Sequence, residues 1–229
     1  MKYIFTPQHP VVIPVADSET LFPVHRVYCV GRNYADHALE MGGSPDREPP
    51  FFFSKPADAL TLEPVVPYPP MTSNLHHEVE LVVALDKGGS EVDEHAAMEM
   101  IFGYGVGVDL TRRDLQAAAK KLGRPWDVAK GFDCSAPISP IRPASQCGHP
   151  DSGIIRLAVN GEEKQRGDLS QMIWSVPEIL VELSRYFELK AGDLIFTGTP
   201  AGVSAVKHDD RLECTIDGVG SLNFTMSSE

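Results

Sequence analysis

The sequence is short of cysteine, short of basic side chains and without a long apolar run, and each shortage removes a class of function. Its 229 residues include only Cys29, Cys134, Cys147 and Cys214, and no two of them form a CxxC pair. A disulfide framework or thiolate zinc site is therefore not the organising element, and reduced thiols in or near a core are expected. Against 32 acidic side chains stand 20 basic ones, giving a formal charge of -12. A negative sheath opposes nucleic acid and anionic membranes, and no basic cluster with interleaved aromatics offsets it. A single basic pocket for a small anionic metabolite remains compatible. No stretch approaches the ~20 apolar residues that cross a bilayer. The opening MKYIFTPQHPVVIPV is interrupted by Pro7, Pro10 and Pro14 and lacks a small-residue cleavage pattern, so it does not read as a signal peptide. The expectation is a cytoplasmic enzyme without nucleic-acid or membrane partners.

What is present is ordinary globular material, 42% hydrophobic and 23% charged, enough for one catalytic body over residues 1–229. YIFT and the segment near Val11–Val15 read as short strands, and VHRVYCVG as a buried strand ending in glycine. ADHALEMG has helical spacing, with Ala35, Ala38 and Leu39 on one side and Gly42 as its stop. The breaker-rich GGSPDREPP follows, so residues 34–50 suit a lid. FFF at 51–53, HEVELVVAL at 77–85 and MEMIFGYGVGVDL read as extended segments, and TRRDLQAAAKKLG as a helix. SGIIRLAVNGEEKQRG is a hairpin about Asn160–Gly161. SVPEILVELSRYFEL is an amphipathic helix with Val176, Ile179, Leu180, Leu183 and Phe187 as its stripe. AGDLIFTGTPAG is a strand entering a glycine-rich turn, and RLECTIDGVGSLNFTM closes the chain as a second hairpin. Strands outnumber helices without regular alternation, which argues for a mostly β body with a few helices over a TIM barrel or Rossmann unit. GYGVG has the wrong spacing for a dinucleotide fingerprint.

Acidic residues then appear where a core is expected. Glu78 and Glu80 are two apart on a strand and emerge from one face, with Val79, Leu81 and Val83 on the other. Alone, that pattern fits a solvent-exposed face. Asp109 ends the nearly uncharged IFGYGVGV, where an acid most naturally emerges from a buried strand at a pocket mouth. Three carboxylates share a site only if a cation neutralises them, and hard oxygen donors favour Mg²⁺, Mn²⁺ or Ca²⁺. His37 and Glu40 are three apart on a short helix, so the carboxylate can fix the imidazole tautomer and make a base for activating water; a surface ion pair is the alternative. Lys130 lies between GRPWDVA and GFD, placed to pair with an anionic oxygen or to snorkel at the surface.

Together, CVGRNYADHALEMG, FFFSKP, LHHEVELVV, GYGVGVDLTRRDLQ, WDVAKGFD and DLIFTGTPAGV resemble the fumarylacetoacetate hydrolase superfamily, in its small single-domain form, from Cys29 to Val203. The resemblance implies the rolled, mixed β-sheet fold of that family's C-terminal domain. It implies a divalent metal, Mg²⁺ or Mn²⁺ with Ca²⁺ as a further candidate, held by Glu78, Glu80 and Asp109. It implies His37 and Glu40 in a lid over substrate, Lys130 as the family lysine, and Gln116 at the substrate. Thr197, followed by Gly198 and Thr199, would lie near the substrate carboxylate, and Arg32 would bind substrate or hold the lid. A homodimer is implied too; Phe51–Phe53 and Met98–Phe102 serve equally as core or interface.

The implied reaction cleaves the C–C bond of an acylpyruvate by attack of water, activated by His37, on the 4-oxo carbon. Within the superfamily, EMGGSPDREPPFFFSKP most resembles fumarylpyruvate hydrolases of bacterial gentisate breakdown, with fumarate and pyruvate as products. Arg47 or Arg113 would then meet the distal carboxylate. The same grip on a 2-oxo acid also suits oxaloacetate decarboxylation or tautomerisation, or isomerisation and decarboxylation in homoprotocatechuate breakdown. A noncatalytic metabolite-binding protein is the alternative of another class.

Overall fold

The computed structural model describes residues 2–40 and 47–228. A six-stranded mixed sheet runs in the order Arg142–Pro143, Ile101–Val108, Val79–Leu85, Leu194–Phe196, Val27–Gly31, Phe51–Lys55. Its neighbours are antiparallel except Leu194–Phe196 and Val27–Gly31, which are parallel. A second sheet of five strands runs Glu162–Asp168, Ile154–Val159, Arg211–Ile216, Gly220–Met226, Val65–Val66. The chain is thus mostly β with a few helices, as expected.

The six-stranded sheet is covered on both faces, which explains the nearly unbroken apolar run of its central strand. Val79, Leu81, Val83 and Leu85 join Ile155, Leu157, Leu212 and the Val176–Tyr186 helix in one core. Val82 and Ala84 face the other way and meet Ile13, Phe22, Ile138 and Phe196. The period-two alternation therefore sorts side chains between two cores, and not between core and water.

Several expected elements form. The hairpin at Asn160–Gly161 turns with both residues at positive φ, 53° and 82°, as a two-residue mirror-image turn requires. The helix Arg113–Leu122 ends on Gly123 in the left-handed conformation. Val176–Tyr186 starts with a capping box in which Glu178 reaches back to Ser175.

Four readings change. Tyr3–Thr6 forms no strand; Tyr3, Ile4 and Phe5 are exposed and pair with no strand among the described residues. Met98 lies in the helix Glu94–Glu99, which Met100 caps, so the extended segment begins at Ile101. Phe187 caps the Val176–Tyr186 helix at β-region angles and is 41% exposed, outside the apolar stripe. The helix Ala35–Glu40 buries Ala38 and His37 and leaves Leu39 54% exposed, because that face covers a polar cavity instead of a core. Gly42, and with it residues 41–46 of the expected lid, lie outside the described residues.

All four cysteines are free, with Cys29 and Cys214 buried and Cys134 and Cys147 partly so. Among the described residues no helix is long and apolar enough to cross a membrane.

Candidate active site

Strand pairing builds the acidic cluster. Val79 pairs with Val108 and Glu80 with Gly107, and the Asp109 N–H donates to the Glu78 carbonyl at 2.8 Å. Register therefore sets Asp109 opposite Glu78, while the two-residue period sends Glu78 and Glu80 to one face. Oxygens from all three carboxylates lie within 4.8 Å of one another, and all three residues are buried. The solvent-exposed strand face that the pattern alone allowed is excluded.

Three buried or nearly buried cations surround the cluster. Lys130 Nζ donates to Glu78 Oε2 at 2.8 Å and to Asp109 Oδ2 at 2.6 Å. Arg113 donates to the other Glu78 oxygen and, at 2.7 Å, to Gln116 Oε1. Lys55 lies 2.8 Å from Asp109 Oδ1 and donates to Ser135 Oγ at 2.9 Å, the Ser135 carbonyl at 3.1 Å and the Lys130 carbonyl. Lys55 went unassigned from sequence; the signal was a lysine inside FFFSKP, one residue before a proline, where an apolar strand should have continued.

Glu80 is the unmatched member. It has no ion pair among the described residues and accepts from the Gly198 N–H at 2.7 Å. Burial, then Asp109 and Glu78, push its carboxyl well above the ordinary range. For Glu78 burial acts in the same direction, but Lys130 and Arg113 prevail and hold its carboxyl below the usual carboxylate range. Burial works against the Lys130 ammonium, yet Asp109 and Glu78 keep it charged.

The residues fit a divalent cation. Three hard oxygen donors converge, and burial with the neighbouring Asp109 and Glu78 still raises the Glu80 pKa against the opposing Lys130 charge and Gly198 N–H. A small cavity of about 30 Å³ adjoins the cluster and is lined by His37, Glu78, Glu80, Arg113, Gln116 and Lys130, among others. His37 Nδ1 lies 3.3 Å from Glu40 Oε2, and Glu40 also accepts the Gly202 N–H at 3.2 Å. Burial lowers the His37 pKa from its ordinary 6.5, although Glu78 and Glu40 oppose that shift.

The TGTP turn closes this cavity from one side. Gly198 has φ +99°, and a Cβ there would lie 2.7 Å from Asn33 Cβ, so glycine is required for the turn to present its N–H to Glu80. The Thr197 hydroxyl is spent on the Leu81 carbonyl at 3.0 Å, whereas Thr199 lines the cavity. Arg32, in the left-handed region at φ 60°, lines this cavity and also a larger one of about 250 Å³. The larger chamber is walled by Pro49, Phe51, Trp126 and Trp174. Neither tryptophan was assigned from sequence. Arg47 stands outside both, stacked 4.2 Å from the Trp174 ring and ion-paired to Glu178. The structure thus gathers His37, Glu78, Glu80, Asp109, Gln116, Lys130, Arg113, Thr199 and Arg32, and leaves Arg47 and the Thr197 side chain apart.

Comparison with known proteins gives the family. Residues 26–227 match the family model described as fumarylacetoacetate hydrolase C-terminal. The crystal structure of fumarylpyruvate hydrolase from Pseudomonas aeruginosa, in complex with Mn²⁺ and pyruvate, superposes with a TM-score of 0.96 at 51% identity over 100% of both chains. The mitochondrial oxaloacetate tautomerase of Rattus norvegicus is 46% identical over 200 residues, 86% of this chain and 90% of its own. The oxaloacetate tautomerase YcgM of Escherichia coli is 42% identical over 199 residues, 86% of this chain and 90% of its own. With a buried carboxylate triad able to hold a divalent metal and a family match across nearly its whole length, this chain belongs to the fumarylacetoacetate hydrolase family.

Proposed function

We propose that the protein is a C–C hydrolase of acylpyruvates, with fumarylpyruvate as substrate and fumarate and pyruvate as products. The observation that carries this reading is the pair of adjoining chambers. A tight one lies beside the acid cluster, and a wider, aromatic-walled one is reached past Gly31, Arg32 and Trp126, residues common to both. The first lies beside the carboxylates that would hold the 2-oxo acid end, and an acyl arm of several atoms would extend into the second. Arg32 has no hydrogen bond or ion pair among the described residues, so its guanidinium is available to a distal carboxylate.

A divalent metal bound by Glu78, Glu80 and Asp109 supplies Lewis-acid stabilisation of negative charge on the 2-oxo acid. Lys130 and Gln116 line the same chamber and position that end of the substrate. His37, steered by Glu40 through Nδ1, is left with Nε2 for the proton of an attacking water. Hydroxide adds to the 4-oxo carbon, and the bond between C3 and C4 breaks. The electron pair remains on the pyruvyl half as an enolate beside Lys130, which favours the charged product. Return of the proton held by His37 to C3 gives pyruvate and restores the neutral base, and the acyl half departs as a carboxylic acid.

The base must be neutral to act, and burial depresses its pKa. With metal saturating, kcat is therefore expected to fall on acidification with a midpoint below pH 6.5; an acidic limb centred above pH 7 in a pH–rate profile would contradict His37 as that base.

Identity to oxaloacetate tautomerases supports a second reading, enolisation of oxaloacetate at the same centre. A four-carbon acid does not need the wider chamber. Turnover of fumarylpyruvate, acetylpyruvate and oxaloacetate with Mg²⁺ or Mn²⁺ separates the two. The acylpyruvate reading expects the highest kcat/KM for fumarylpyruvate, and an Arg32→Met variant with a raised KM for it. Faster conversion of oxaloacetate than of either acylpyruvate would overturn the choice.

A further inference from the structure

The strand that carries both glutamates loses its neighbour where it matters most. Along Val79–Leu85, the amide and carbonyl of alternate residues point to opposite sides. Glu78 is bonded toward the Ile101–Val108 strand through the Asp109 N–H, so Val79 points the other way. On that side Leu194–Phe196 pairs only with Val82, Val83 and Ala84, and Thr197 N–H reaches the Leu81 carbonyl at 3.0 Å. Beyond Thr197 the chain turns away. The buried Val79 N–H and C=O would be orphaned, and two side chains take the place of the missing strand. Gln165 Oε1 accepts from the Val79 N–H at 3.1 Å, and the Thr199 hydroxyl donates to the Val79 carbonyl at 2.7 Å.

Gln165 is fully buried, and every polar atom of its amide is used. Oε1 also lies 2.8 Å from His77 Nδ1, while Nε2 donates to Thr199 Oγ1 and to the Pro200 carbonyl, both at 2.8 Å. The Pro200 carbonyl can only accept, which fixes which end of the amide is nitrogen. Oε1 must then accept from His77, so the ring carries its proton on Nδ1, and Nε2 accepts from the Ser204 hydroxyl at 2.9 Å. One side chain therefore ties the peptide between Glu78 and Glu80 to the turn that supplies Gly198 N–H to Glu80 and Thr199 to the cavity.

We propose that Gln165 is a positioning residue for the metal centre: it completes the hydrogen-bonding of Val79 and thereby fixes the spacing of Glu78 and Glu80 relative to each other and to the 197–200 turn. It touches neither metal nor substrate. It acts through the backbone that aims two of the three ligands, as groups behind metal ligands commonly do. This assignment rests on the carboxylate triad as the metal site and is independent of which 2-oxo acid is the substrate.

The test is Mn²⁺ titration of the metal-free Gln165→Met and Gln165→Glu proteins by calorimetry, beside thermal unfolding of each. Methionine keeps the volume and removes every hydrogen bond; glutamate keeps the acceptor and removes the amide donors. The dissociation constant is expected to rise about tenfold or more for Gln165→Met, with Gln165→Glu between it and wild type, in proteins that still unfold cooperatively. A folded Gln165→Met protein binding Mn²⁺ within twofold of wild type would overturn the proposal. The wild-type chain provides a test that does not depend on either variant folding, since ¹⁵N NMR should find His77 protonated on Nδ1. An Nε2-protonated ring would reverse the network and sink the assignment. Absence of Mn²⁺ binding to wild type would instead remove the triad itself.

Discussion

Replacement of His37 by alanine is expected to lower kcat by about 10²–10⁴-fold, the contribution of a positioned general base. Mn²⁺ affinity is expected to stay within twofold of wild type. The two expectations separate because the imidazole lines the chamber without belonging to the carboxylate cluster. Its Nδ1 faces Glu40, so the opposite nitrogen holds the lone pair that takes a proton from water. Glu40→Gln should cost less than His37→Ala. It keeps an acceptor for Nδ1 and for the Gly202 N–H, and loses only the charge that stabilises a protonated ring. Steady-state kinetics with fumarylpyruvate at saturating metal, paired with calorimetry, reads both quantities. Unchanged turnover by the alanine variant would remove His37 from the chemistry, whereas loss of metal would make it part of the binding site.

Glu80→Gln is expected to move two properties in opposite directions. In the metal-free protein Glu80 is buried beside two other carboxylates, with no cationic partner among the described residues. Its folded-state pKa lies above the ordinary 4.5, so the folded chain binds this proton more tightly than the unfolded one. The linked stability is present at low pH and is lost as pH rises from about 4.5 through the raised pKa. A glutamine carries no such penalty, and its side-chain oxygen can still accept from Gly198. The variant should therefore melt higher than wild type without metal, and the gain should be larger at pH 8 than at pH 5. Mn²⁺ affinity should fall at least tenfold, because the neutral amide is a poor substitute for an anionic oxygen donor. Differential scanning calorimetry with and without Mn²⁺ measures both effects. A metal-free variant less stable than wild type at pH 8 would mean that Glu80 is stabilised by its surroundings, and the electrostatic case for a cation would fail.

Much of the site was legible because strand periodicity and chemistry pointed the same way. Glu78, Glu80 and Asp109 stood at strand ends in otherwise apolar sequence, and pairing of those strands is all that is needed to bring them together. His37 and Glu40 followed from helical spacing. The apolar stripe of Val176–Tyr186 was readable for the same reason, since one periodicity and one buried face suffice. What escaped depends on contacts distant in sequence. Lys55 reaches Asp109 across 54 positions, Trp174 becomes a chamber wall only after the chain returns past Arg32, and Gln165 meets Val79 across 86 positions. Leu39 was misplaced because helical spacing identifies a face without saying what that face covers. Here it covers charge and a cavity, so the histidine is inside and the leucine outside.

One cation shared by three acids that otherwise repel is the centre of the proposed chemistry. Its most direct measurement is a crystal of the protein grown with Mn²⁺, with the ion located by anomalous scattering. The expected result is one ion per chain, coordinated by oxygens of Glu78, Glu80 and Asp109, with Lys130 beside it. An ion bound elsewhere, or carboxylates still bridged by Lys130 with no metal among them at saturating Mn²⁺, would contradict it.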